Sequence, residues 1–442
     1  MNQLSERLRE IKSAPAGPKI AAFFDYDDAL IGGRSARRLS HDEIAGRTVD
    51  EVAESSDRQF KHKTAALLRP EMWKIVHAHR AMGHRIVIAS SATHVEIEPI
   101  ARELDAHHTL VTELEVVDGA FTGALRGRPL CGPAKAARVR AVAREQDLDL
   151  NESFAYSGAD DDVPFLEAVG HPTALCPKDA LRAEAGWRSW RILDLPKRPQ
   201  PTALLAARTA AYYGSFIGGP VLGALMGAIG RDSNAIARIG LPLGNDVGLA
   251  LAGIRVKVVL GEEYLTAARP CVFVFNHQSK LDAGIVFKLL RSGFTGIAKK
   301  EARHVPLIGR ILASTGAVFI DRADTRKAIE QLAPAVAKLR DEGVSLALSP
   351  EGTRSATPRL GPFRKGAFHI AMQAGVPVVP VIIRNSGELM WRGAQLMHPG
   401  TIEVQVLPPV DTADWKPETV AAHADQVRNM FVHTLANWQE DI

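Results

Sequence analysis

In the segment FNHQSKLD, a histidine and an aspartate, His277 and Asp282, stand five positions apart. A neutral imidazole can take a proton from a hydroxyl, and a carboxylate on its other ring nitrogen fixes the tautomer and stabilises the cation that forms. Five positions on a regular helix turn through about 500°, which leaves two side chains roughly 140° apart. The pair meets only if His277 lies in a loop or cap and Asp282 in the first helical turn. Ser279, between them, lacks the Gly-x-Ser-x-Gly setting of a nucleophile, and Asn276 is expected to cap the turn.

Anion-binding residues follow in order. GAVFIDR, from Gly316, reads as a strand that ends in Asp321 and Arg322, where a guanidinium can offer a rigid fork to phosphate. SPEGTRS comes after the apolar run VSLAL and places Glu351, Gly352, Thr353 and Arg354 on the turn beyond that strand. AGVPVVPVII reads as a buried strand. From Lys288 to Lys327, a stretch that includes Lys299 and Lys300, there are nine Lys or Arg against three Asp or Glu. The whole chain is only +4, so the basic character is local. It suits a phosphate monoester, a coenzyme A or anionic lipid heads.

A second set of chemical groups lies near the N-terminus. FFDYDDAL puts Asp25 and Asp27 at the end of an apolar run, where two carboxylates can act as nucleophile and acid/base. Ser90 closes RIVIAS, Lys135 follows Gly-Pro at a predicted helix start, and YSGADDDVPFLEAVG supplies Asp160, Asp161 and Asp162.

The elements that must position these groups are short apolar runs followed by turn and helix signals, KIAAFFDYDDALI, HRIVIASSA, FAYSGA and PTALCP, the pattern of buried parallel strands in an α/β domain. DLPKRPQP, residues 194–201, carries three prolines and reads as a linker. Beyond it, residues 209–230 hold no charge over 22 positions, long enough for a membrane span. Repeated glycines and Pro220 lower its helix propensity, and a second apolar stretch, IGLPLGNDVGLALAG, follows. The favoured reading is a two-helix hairpin lying in one leaflet, with a true span and a buried soluble hairpin as alternatives. Pro417–Trp438 reads as a closing amphipathic helix.

The 442 residues, 46% hydrophobic and 24% charged, exclude a disordered or collagenous chain and suggest two or three domains. The small net charge argues against a nucleic-acid partner. Three cysteines, Cys131, Cys176 and Cys271, without ligand spacing point to a reducing compartment. The charged N-terminus has no apolar core and reads as no secretory signal. His77 with His79, and His107 with His108, lack acidic partners and are expected on solvated helix faces.

NHQSKLD, GAVFIDR, PEGTRS and VPVVPV, in this order, resemble the four blocks of the glycerolipid acyltransferase family, and among its branches the 1-acylglycerol-3-phosphate acyltransferases, over residues 250–410. The resemblance implies an αβ domain in which His277, oriented by Asp282, takes the proton from the sn-2 hydroxyl of lysophosphatidic acid as that oxygen attacks an acyl-CoA thioester to give phosphatidic acid. It implies that Arg322 and Lys299 or Lys300 hold the acceptor phosphate, and that Glu351, Gly352 and Arg354 shape the acceptor and CoA site. No cofactor is needed for direct transfer. The family also favours a membrane-embedded hairpin ahead of the His block.

Residues 19–195 resemble the haloacid dehalogenase superfamily, in particular phosphoserine-phosphatase-like hydrolases, through Asp25, Asp27, Ser90, Lys135 and the 156–162 segment, with DGAFTGAL beside them. The resemblance implies a Rossmann-like domain and, if active, Mg²⁺ held by residues that include Asp25 and Asp27. Two departures are visible. Ala29 stands where the first motif carries Thr or Val. The fourth motif usually reads Tyr-Ser-Asp-Ser-x-x-Asp, and here Gly158 replaces its first Asp, a direct magnesium ligand. Two readings follow: a vestigial phosphatase site in a structural, dimerising or regulatory module, or a working phosphomonoesterase in a bifunctional chain. The expected organisation is a phosphatase-like domain over 1–195, linker and hairpin over 196–245, and an acyltransferase over 246–442. The expected location is the cytoplasmic face of the inner membrane, monotopic or peripheral, with a homo-oligomer possible.

Overall fold

A computed structural model describes residues 3–32, 41–196, 201–231, 235–305, 308–320 and 332–438, without the side chains of residues 41, 42, 299 and 308. Two compact units divide the chain, residues 1–198 and 199–442.

The first unit contains strands β1 (Ala21–Phe24), β2 (Arg85–Thr93), β3 (His108–Thr112), β4 (Leu114–Val117), β5 (Ala120–Leu125), β6 (Phe154–Ser157), β7 (His171–Leu175) and β8 (Arg191–Leu193). Six of them form a parallel sheet in the order β3-β2-β1-β6-β7-β8, and β4 and β5 form a separate antiparallel hairpin. All four residues of β1 are buried, because alternate side chains point to opposite faces and both faces are covered. Phe23 joins the cluster that holds Val139 and Val142 of helix Gly132–Glu145. Phe24 meets His79 of helix Pro70–Ala81 on the other side. Strand order reverses between β1 and β6, and at such a switch point the carboxyl ends of the strands leave a crevice. Asp25 and the 157–162 segment lie there.

His77 is exposed as expected, but His79 is not. It shares a helix face with Met72, Ile75 and Val76, the i, i+3, i+4 and i+7 positions that turn inward. Its Nδ1 lies 2.8 Å from Nδ1 of His84, and its Nε2 lies 2.8 Å from the Tyr156 hydroxyl. His84 Nε2 donates to the Pro15 carbonyl, so His79 Nδ1–H donates to His84 and Tyr156 donates to His79. Arg7 Nε donates to the Tyr156 oxygen in turn. His107 and His108 occupy a loop and the start of β3, not a helix face.

The second unit contains β9 (Ile254–Leu260), β10 (Val272–Phe275), β11 (Phe294–Lys299), β12 (Val318–Ile320), β13 (Ser345–Leu348), β14 (Val378–Arg384) and β15 (Gly400–Val406). They form one sheet in the order β12-β11-β13-β10-β14-β15-β9, parallel throughout except where β14 meets β15. Central β10 packs Val272 and Val274 toward helices Gly366–Ala374 and Val420–Ala436. Cys271 and Phe273 face helix Leu281–Leu290 and the hairpin.

The hairpin pairs helix Ala203–Gly230 with helix Leu241–Ala252. The first starts at Thr202, whose Oγ accepts from the Leu205 N–H at 3.1 Å. Glycines let the two backbones touch: a Cβ on Gly219 would lie 2.6 Å from the Gly244 Cα and 2.2 Å from the Gly240 carbonyl oxygen. Asn245 Nδ2 donates to the Gly284 carbonyl at 2.9 Å, which ties the hairpin to the helix that carries Asp282. The outer side presents Ile217, Val221, Leu225, Met226 and Ile229 to solvent, Ile229 at 87% exposure. Helix Ala203–Gly230 is the one helix among the described residues long and apolar enough to cross a membrane.

Candidate functional site

His277 lies in the loop two residues past β10, and Asp282 is the second residue of helix Leu281–Leu290. This loop-to-first-turn arrangement brings His277 Nδ1 to 2.8 Å from Asp282 Oδ2. The same oxygen accepts the backbone N–H groups of Gln278 and Ser279, each at 2.8 Å. Asp282 is fully buried, so three donors hold its charge at the helix N-terminus, where the dipole favours it. His277 Nδ1 then carries the proton, and Nε2 is left as the basic nitrogen on a side chain 28% exposed.

The backbone of His277 is held from both sides by the turn after β13. Its N–H donates to Glu351 Oε1 at 2.7 Å, and its carbonyl accepts from the Ser355 N–H at 2.8 Å. The other oxygen of Glu351 accepts from Ser355 Oγ at 2.6 Å and from the Gly361 N–H at 2.8 Å. Glu351 is buried and spoken for, a brace between the two loops. Gly352 adopts φ 72°, and the Arg364 side chain lies 2.9 Å from where a Cβ would sit. Thr353 is exposed.

Asn276 is not a turn cap. Its Nδ2 donates to the Ile383 carbonyl and its Oδ1 accepts the Ile383 N–H, both at 2.8 Å, so the side chain fastens the end of β10 to β14. Ser279 Oγ donates to the Met390 carbonyl at 2.7 Å, a structural use consistent with its being no nucleophile. Lys300 is exposed on the turn after β11, and Gly316 takes φ 70° ahead of β12. The Lys299 side chain and Arg322 lie outside the described residues.

In the first unit, Lys135 Nζ bridges two carboxylates, at 3.0 Å from Asp25 Oδ1 and 2.7 Å from Asp162 Oδ2. Ser157 Oγ donates to Asp162 Oδ2 at 2.6 Å, and Asp162 Oδ1 is buried without a partner. All three charged groups are buried. Burial pushes the Asp25 carboxyl up to about 7, an effect that the Lys135 charge only partly offsets. Burial lowers the Lys135 pKa, but the charges of Asp25 and Asp162 outweigh it and keep the ammonium. Asp27 is half-buried and Asp161 exposed, while Asp160 Oδ1 accepts the Leu181 N–H at 3.1 Å. Ser90 is buried within β2, with its Oγ accepting the Ala92 N–H.

These residues do not fit Mg²⁺. A hard divalent cation needs several charged or carbonyl oxygens in near-octahedral order. Asp25 and Asp162 are bound to an ammonium, and the missing carboxylate cannot be supplied at Gly158. A Cβ there would lie 2.5 Å from the Leu175 carbonyl oxygen and 3.3 Å from that of Asp28. Among the described residues, no group of three or more His, Cys, Asp or Glu is gathered as for a metal.

A family model described as Acyltransferase matches residues 256–384, which hold His277, Asp282 and the 351–354 turn. The 1-acyl-sn-glycerol-3-phosphate acyltransferase of Saccharomyces cerevisiae is 36% identical over 42% of this chain and 61% of its own length. That of Limnanthes douglasii is 33% identical over 46% of this chain and 73% of its own length. The chain belongs to the 1-acyl-sn-glycerol-3-phosphate acyltransferase family. A crystal structure titled as the 1-acyl-sn-glycerophosphate (LPA) acyltransferase from Thermotoga maritima is 25% identical over 54% of this chain and 97% of its own, with a TM-score of 0.42. A model described as haloacid dehalogenase-like hydrolase matches residues 6–167 of the first unit.

Two details within reach of the acyltransferase site had no signal in the spacing of its blocks. Ser355, inside the SPEGTRS block, binds His277 through its backbone, a role any residue could fill. Arg392, well beyond the Val-Pro block, reaches the turn at Arg354 only because β14 lies beside β10.

Proposed function

We propose that the second unit transfers an acyl group from acyl-CoA to the sn-2 hydroxyl of lysophosphatidic acid, giving phosphatidic acid and CoA. The carrying observation is the His277–Asp282 pair, with Nδ1 occupied and Nε2 available. Nε2 takes the hydroxyl proton as the acceptor oxygen bonds to the thioester carbonyl carbon. The tetrahedral intermediate then expels the CoA sulfur, which receives the proton from the imidazolium. Asp282 stabilises that cation without leaving its hydrogen bonds. Glu351 positions the loop, and Arg354, with Lys299, Lys300 and Arg322, supplies positive charge for the substrate phosphates.

The exposed apolar row of the hairpin supports seating on a membrane surface. The second limb runs without a break from a π-helical turn, Ile236–Gly240, through Leu241–Ala252 and packs glycine on glycine against the first, as suits a hairpin inserted from one side of a membrane. The hairpin thus lies in one leaflet, on the cytoplasmic side, as an anchor between a phosphatase-like domain of residues 1–195 and the acyltransferase. The first unit acts as a non-catalytic module, a reading supported by the pairing of Asp25 and Asp162 with Lys135 and by the carboxylate missing from its fourth motif at Gly158, where a side chain has no room.

Purified full-length protein in detergent, given acyl-CoA and lysophosphatidic acid, releases free CoA, and His277→Ala stops the release. Full turnover in that variant would remove His277 as the base. Magnesium-dependent release of phosphate from a panel of phosphomonoesters would overturn the reading of the first unit.

A further inference from the structure

Two guanidinium groups of the second unit, Arg354 and Arg392, have no carboxylate partner among the described residues. Arg354 ends the turn after β13, and its Nη1 is shut off from solvent with nothing to donate to. An unmet buried N–H is costly, more so on a charged group. Arg392, in the loop beyond β14, donates from Nη1 to the backbone carbonyl of Arg354. Burial, and after it the Arg354 charge, lowers the Arg392 pKa. Two cations kept side by side in half-buried surroundings repel each other unless an anion joins them.

Both loops are fastened to the His277 loop. Ser355, next to Arg354, donates its N–H to the His277 carbonyl at 2.8 Å. Ser279 Oγ holds the carbonyl of Met390, two residues before Arg392, at 2.7 Å, and Gln278 Nε2 donates to the Pro358 carbonyl at 3.3 Å. On the hairpin, Tyr213 is near enough for the Arg354 charge to act on its hydroxyl. The arginine pair therefore stands among the catalytic loop, the turn after β13 and the first helix of the hairpin.

We propose that Arg392 joins Arg354 in a two-arginine site that binds a phosphate monoester beside His277. This rests on the acyl-transfer reading above and adds to it a residue outside all four sequence blocks. Two planar forks match the three terminal oxygens and near-double charge of a monoester better than a singly charged diester. Either of two substrate groups has this chemistry: the phosphate of lysophosphatidic acid and the 3′-phosphate of the CoA donor.

The test uses full-length protein in detergent, as wild type, Arg392→Gln and Arg392→Lys, with initial rates measured while each substrate is varied at a saturating level of the other. If the acceptor phosphate is the ligand, Arg392→Gln raises KM for lysophosphatidic acid by about tenfold or more, with kcat little changed and KM for acyl-CoA unmoved. If the 3′-phosphate is the ligand, KM for acyl-CoA rises instead, and KM for the acyl thioester of dephospho-CoA does not. Arg392→Lys recovers part of the loss, since an ammonium keeps charge but lacks the fork. Where the Gln variant fails to fold, the Lys variant carries the test through a smaller KM rise. Unchanged KM for both substrates, or a fall in kcat alone, overturns the proposal while leaving acyl transfer intact. A wild-type protein that releases no CoA overturns the acyl-transfer reading and this proposal with it.

Discussion

Both units place charged side chains just beyond the carboxyl ends of adjacent parallel strands, β1 with β6 in one and β10 with β13 in the other. The outcomes are opposite. In the first unit, Lys135 lies between Asp25 and Asp162 and sets one positive charge against their two carboxylates inside the protein. In the second, the buried carboxylate is matched to a histidine whose far nitrogen remains available, and the two arginines beside it have no acid among the described residues. A site is defined by what its own chain leaves unpaired. In the first crevice both carboxylates are met by Lys135, with Asp162 Oδ1 left over, whereas in the second the outward nitrogen of His277 and Nη1 of Arg354 have no partner among the described residues.

The sharpest break of this comparison is His277→Ala, which should reduce acyl transfer on the order of 10²–10⁴-fold with only a small fall in melting temperature, since the Gln278 and Ser279 N–H groups still hold Asp282. A loss of stability as large as the one expected for Lys135→Met would mean that His277 is structural. Lys135→Met should do the reverse. It strands two buried carboxylates and should destabilise the first unit by about 3–5 kcal/mol, read by urea unfolding, with CoA release unaffected below the transition. Gly158→Asp restores the letter of the phosphatase motif but not its space. It should cost roughly 1–3 kcal/mol from the clash with the Leu175 carbonyl. Added Mg²⁺ should not raise its melting temperature, and a magnesium-dependent rise would show that the crevice can reopen.

The smallest effect is a pH dependence confined to the first unit. Burial holds the His79 pKa well below the usual 6.5. The unfolded chain then gains a proton below pH 6.5 that the folded one does not. His79 thus leaves stability intact above 6.5 and erodes it below, by up to about 1.4 kcal/mol per pH unit. Asp25 acts with the opposite sign: raised from 3.8 to about 7, it takes up a proton first in the folded state and adds stability as pH falls from 7 toward 3.8. The two oppose each other in the native protein. Asp25→Asn removes the second, so its unfolding free energy should fall more steeply between pH 6.5 and 5.5 than that of the unaltered protein.

Much of the acyltransferase site was legible because its key pair is local. His277 and Asp282 are close in sequence, and a loop that enters a helix forces them together whatever surrounds it. The loss at Gly158 was equally visible, as a missing letter in a short motif. His79 was misread because a pair of nearby histidines suggested a polar face, while its register with Met72, Ile75 and Val76 pointed inward. Asn276 was misread because its partner is Ile383, 107 residues away.

The sequence by itself determined two α/β units joined through a proline-rich linker, the order of the four blocks, and a histidine paired with its orienting carboxylate. Each follows from short-range spacing or from alternation along a strand. Tertiary structure alone decided that Glu351 braces His277, that Lys135 bridges Asp25 and Asp162, and that Arg392 meets Arg354. Those outcomes depend on which strands become neighbours, and strand order is set by how the whole sheet buries its two faces rather than by any window of sequence.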